Sequence, residues 1–140
     1  MSDPAAIARD YLESFNRRDF DHVRELLHST YSYTGADGDR QDGGPEVGIA
    51  VMQMWANAYP DAKLEIQRIH VSGDTAAAEF IARGTHQGEL MGMAPTGRKV
   101  EMPVCTILDI REGKIGAERE YMDMAHMMQQ LGVMPAPATA

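Results

Sequence analysis

The sequence predicts an α+β domain in which N-terminal helices cover one face of a cone-shaped, curved antiparallel sheet. Three observations lead there. Residues 4–59 carry apolar side chains at helical spacing, and residues 64–121 carry long runs of strand character separated by turn signals. A length of 140 residues suits one packed domain. With 44% hydrophobic and 24% charged residues the chain can build a core, which excludes a disordered or rod-like polymer. Its single cysteine, Cys105, provides neither an internal disulfide nor a thiolate zinc site, so packing must hold the fold.

Ser2 or Asp3 ahead of Pro4 starts the first helix, because a side-chain oxygen caps free N–H groups and proline fits the first turn. Ile7, Tyr11, Leu12 and Phe15 form its buried stripe. Asp19 caps a second short helix carrying Phe20, Val23, Leu26 and Leu27. Tyr31 and Tyr33 alternate as a short strand, and a polar, glycine-rich loop runs over 35–44. Pro45 opens a third helix whose face of Val47, Val51, Met52, Met54, Trp55 and Ala58 ends at Tyr59-Pro60-Asp61. Strands follow over 64–71, 75–84, 100–110 and 114–121, with Ser72-Gly73-Asp74 and Glu112-Gly113 as hairpin turns. A last helix over 124–131 stops at Gly132. Residues 1–134 make one domain, and 135–140 are expected to be a disordered tail.

A net charge of −8 disfavours nucleic acid and anionic membrane surfaces as partners, since both repel this sign. No apolar run approaches the roughly 18 residues of a membrane span. The N-terminal stretch lacks the basic start and apolar run of an export signal, so the cytoplasm is the expected compartment.

Long strands twist, and a sheet of this size curls around its helices and leaves a hollow between the layers. On the second long strand Ala76, Ala78, Phe80, Ala82, Gly84 and His86 share the inner face. His86 thus either reaches into the hollow or bonds a backbone carbonyl. On the last strand Ala117, Arg119, Tyr121 and Asp123 share one face, and Glu118, Glu120 and Met122 the other. Asp123 borders a methionine-rich segment. A poorly solvated carboxylate there would be a stronger base, whereas the same residue can simply cap the following helix. Asp123 and His126 lack a third ligand at metal-binding spacing, so no metal is expected. Tyr33, Met52, Trp55, Met91 and Met93 are candidates for lining the hollow. The outer strand face mixes Glu79, Arg83, Gln87 and Glu118 with Ile69, Val71 and Ile81, which suits a homodimer contact.

Residues 84–98 (GTHQGELMGMAPTGR), Val100-Glu101-Met102-Pro103, residues 111–115 (REGKI) and residues 120–124 (EYMDM) resemble the SnoaL-like polyketide cyclase (ester cyclase) family. Asn16 and Tyr59-Pro60-Asp61 fit as well, so the resemblance spans nearly the whole chain. It implies the cone-shaped fold of nuclear transport factor 2 and ketosteroid isomerase, in the wider cystatin-like class. It also implies intramolecular aldol ring closure of a polyketide ester, without metal or organic cofactor, on an acid/base aspartate that matches Asp123. His86 would assist at the enolate oxygen, with Thr106, Arg119 and Tyr121 added to the substrate-binding set. The expected ligand is a small hydrophobic or aromatic polyketide. Isomerase, dehydratase or epoxide-opening chemistry, or plain binding of a small apolar ligand, are the alternatives.

Overall fold

Helix α1 (Pro4–Arg17) starts where Asp3 accepts the N–H groups of Ala5 and Ala6. Arg18, left-handed at φ 58°, ends it. Asp19 caps α2 (Phe20–Leu26) by accepting the His22 N–H. Leu27, expected at the end of this helix, instead opens β1 (Leu27–Thr34). The 35–44 loop contains a short exposed strand, β2 (Arg40–Asp42), and then α3 (Pro45–Ala58) begins at proline. The remaining elements follow the sequence pattern closely: β3 (Lys63–Ser72), β4 (Thr75–Thr85), β5 (Lys99–Arg111), β6 (Lys114–Met122) and α4 (Met124–Leu131). The structure, a computed structural model, describes residues 3–135, so Ser2 and all but the first residue of the expected tail lie outside the described residues.

The six strands form one curled, unclosed sheet in the order β2-β1-β6-β5-β4-β3. Hairpins make β3 to β6 an antiparallel meander, and the β5–β6 turn places Glu112 and Gly113 at φ 53° and 77°, the paired positive values a two-residue hairpin turn prefers. The expectation of a wholly antiparallel sheet is corrected at one seam, where β1 runs parallel to β6. The reason is that no hairpin joins these strands: closing the meander onto the N-terminal layer sets their relative direction. Helix α1 packs across β3 and β4, α3 against β1, and α4 against β5.

One irregularity decides what faces the core. Ile110 pairs with Ile115, but Asp109 pairs with Ala117, so Gly116 is an extra residue on β6. A regular ladder would continue the inner row from Ile115 through Ala117, Arg119, Tyr121 and Asp123. The one-residue shift instead brings Glu118, Glu120 and Met122 opposite Leu108, Thr106 and Val104, which are all buried.

Candidate functional site

Between the helices and the concave face of the sheet lies a cavity of about 100 Å³. Its walls are mainly apolar and aromatic, with Phe15 from α1, Met52 and Trp55 from α3, Phe80 from β4, Met102 from β5 and Met127 from α4. By the same measure one water needs roughly 10–15 Å³, so the space admits a small ring system.

Two carboxylates enter this apolar space from β6. Glu118 is buried and accepts three hydroxyl hydrogen bonds: Tyr11 donates at 2.5 Å and Tyr31 at 2.7 Å to Oε1, and Thr106 donates at 2.7 Å to Oε2. Glu120 receives one such bond, from the Tyr33 hydroxyl at 2.8 Å. Burial, and then the neighbouring charge of Glu118, push the Glu120 carboxyl up to about 8, against the weaker opposing pull of the Tyr33 bond. The hydroxyls of Tyr11, Tyr31 and Tyr33 are themselves pushed up by burial and by the glutamates they face, so they stay protonated donors. Arg83 also lines the cavity, but its guanidinium is held by Glu65 and Glu101.

The residues expected from sequence divide into two groups. Tyr33, Met52 and Trp55 line the cavity. Thr106 is buried beside it, with its hydroxyl committed to Glu118. Asp123 does not line the cavity; it is exposed and caps α4 by accepting the His126 N–H at 3.1 Å. This corrects its expected place at the dry end of the hollow, and the Gly116 shift is the cause. The same shift turns Arg119 outward, onto Asp109 at 2.6 Å, and leaves Tyr121 exposed. Glu118, expected on the outer face, is inside. Met91 is 58% exposed at a loop tip, and Met93 packs against the core without lining the cavity. His86 continues the inner row of β4 as expected, fully buried against the Tyr59 ring but outside the cavity lining.

Sequence reasoning therefore missed both interior glutamates. A signal existed, because Glu118 and Glu120 share a face with apolar Met122. Choosing that face required knowing that Gly116 is inserted.

The sequence model of a family described as SnoaL-like polyketide cyclase matches residues 5–131. The aklanonic acid methyl ester cyclase AcmA of Streptomyces galilaeus is 32% identical over 141 aligned positions, covering 99% of this chain and 96% of its own. The nogalonic acid methyl ester cyclase of Streptomyces nogalater is 30% identical, covering 86% of this chain and 91% of its own. Among solved structures, wild-type IdmH from Streptomyces antibioticus aligns with a TM-score of 0.79 at 31% identity, covering 93% of this chain and 99% of that one.

Proposed function

The chain belongs to the SnoaL-like polyketide cyclase family, and from that membership we propose that it closes a ring in a polyketide ester or related aromatic ketone by intramolecular aldol addition, with Glu120 as the proton carrier. The ionised carboxyl takes a proton from carbon beside a carbonyl, and the electron pair moves onto that carbonyl oxygen. The enolate carbon then attacks a second carbonyl of the same molecule, forming the carbon–carbon bond and an alkoxide. Glu120 returns its proton to the alkoxide. Atoms and electrons balance within the substrate and one carboxyl group.

The observation that carries this reading is the environment of Glu120, a carboxyl facing an apolar cavity beside a second carboxylate and answered by one hydroxyl. Poor solvation raises its basicity toward the range useful for proton abstraction from carbon. The apolar walls suit a small hydrophobic guest, which on binding would displace water that competes for the enolate. In this reading Asp123 keeps a structural role at the start of α4. The protein works as a cytoplasmic homodimer, joined through the outer sheet face where Val71 and Tyr121 are exposed. A light-scattering mass of one chain at micromolar concentration would refute the dimer.

Glu120→Gln tests the chemistry. With aklanonic acid methyl ester as the trial substrate, the variant should lose roughly 10²–10⁴-fold in kcat while still binding it. Turnover at the wild-type rate would overturn the assignment.

A further inference from the structure

Two polar atoms at the C-terminal end of α3 have no part in the proton transfer described above. Tyr59 is 4% exposed and His86 is 0% exposed, and their rings lie 5.6 Å apart. Among the described residues, Tyr59 Oη and His86 Nε2 are the buried side-chain polar atoms without a hydrogen-bond partner. The Thr96 N–H donates to His86 Nδ1 at 3.2 Å, so that nitrogen is an acceptor and the ring hydrogen sits on Nε2. Burial pushes the Tyr59 phenol up to about 12, so it too keeps its hydrogen. Neither donor meets a protein acceptor, and the phenol oxygen beside the imidazole does not take up its hydrogen, so both groups are desolvated without a protein hydrogen bond in return.

Tyr59 lines the cavity, and β4 is shaped to receive it: a Cβ at Gly84 would lie 2.9 Å from the Tyr59 Cβ. The other polar groups of the lining are committed or of the wrong kind. Tyr11 and Tyr33 donate to the glutamates, Arg83 donates to Glu65 and Glu101, and the Glu120 carboxyl is taken up by the proton transfer itself.

We infer that the Tyr59 hydroxyl is the hydrogen-bond donor for a carbonyl oxygen of an aromatic ketone or ester bound in the cavity, with the His86 ring, locked by Thr96, as a positioning residue at its side. This deepens the proposed function and rests on the cavity being its site. A donor fixed before the guest arrives would hold the carbonyl and strengthen its grip as negative charge gathers on that oxygen.

The test uses the full chain and 1-tetralone labelled with ¹³C at its carbonyl, a neutral aromatic ketone with no second carbonyl to attack. In the wild-type protein its carbonyl stretch should move to lower frequency than in an apolar solvent. In Tyr59→Phe the shift should disappear and Kd should rise about ten-fold. Glu120→Gln is read by turnover of aklanonic acid methyl ester alone and takes no part in the band-shift comparison. Loss of turnover in Glu120→Gln and loss of the band shift in Tyr59→Phe are therefore separate results, and either can fail alone. The melting temperature of Tyr59→Phe should be unchanged or higher, since the hydroxyl has no protein partner to lose. An identical band and affinity in wild type and Tyr59→Phe would overturn the inference. So would a lowered melting temperature, which would show the hydroxyl already bonded in the free protein.

Discussion

Glu118 and Glu120 leave β6 on the same face, and the first accepts three hydroxyl hydrogen bonds where the second accepts one. Burial and a neighbouring like charge both disfavour the ionised form of a carboxyl, and a single hydroxyl donor offsets them only in part. Burial first, and then the neighbouring Glu118 charge, raise the Glu120 carboxyl. The arrangement leaves Glu120 facing the cavity as the group able to exchange a proton near neutral pH.

If Glu120 starts the reaction as a base, its ionised form is the working form. The profile of kcat/KM should then rise with pH and level off above about 8. A profile that falls through this region would make Glu120 the initial proton donor instead.

Stability should carry the same signature with the opposite sign. A carboxyl raised in the folded state holds its proton where the unfolded chain has already released it, so this group's contribution weakens as pH climbs from the ordinary carboxylate range to about 8. Glu120→Gln should therefore gain stability relative to wild type at pH 8–9, with the gain shrinking toward pH 5. Urea midpoints of both proteins across that range supply the measurement.

Asp123 should behave as a helix cap. Asp123→Ala is expected to cost about 0.5–2 kcal/mol of stability, while Asp123→Asn costs little because asparagine caps equally well. Neither change should alter turnover, and a large kcat loss in Asp123→Asn would return the proton chemistry to that residue.

The hydroxyls around Glu118 form one unit. Removing a single donor by Tyr31→Phe or Thr106→Val should cost roughly 1–3 kcal/mol, because a buried acceptor loses its partner. The same change made in Glu118→Gln should cost clearly less, and a double-mutant cycle from denaturation curves reads the difference. Strict additivity would show that the three hydroxyls do not act through Glu118.

Much of the fold is legible in local chemistry. Asp3-Pro4 and Asp19 mark helix starts, the 72–75 and 112–113 turns set the hairpins, and the even-numbered residues of β5 from Val100 to Ile110 are all buried, as an apolar row of period two requires. These signals act over a few residues, so the sequence alone determined the α+β architecture, most element boundaries and the apolar character of the interior.

The tertiary structure alone decided which face of β6 turns inward. Alternation along a strand says which residues share a face, but a single inserted residue, Gly116, exchanges the two faces beyond it. Charge would argue for placing Glu118 and Glu120 in water. Their burial becomes tolerable because Tyr11, Tyr31, Tyr33 and Thr106 arrive from α1, β1 and β5 to donate to them, and partners between 12 and 107 residues distant in sequence meet only once the sheet has curled over the helices.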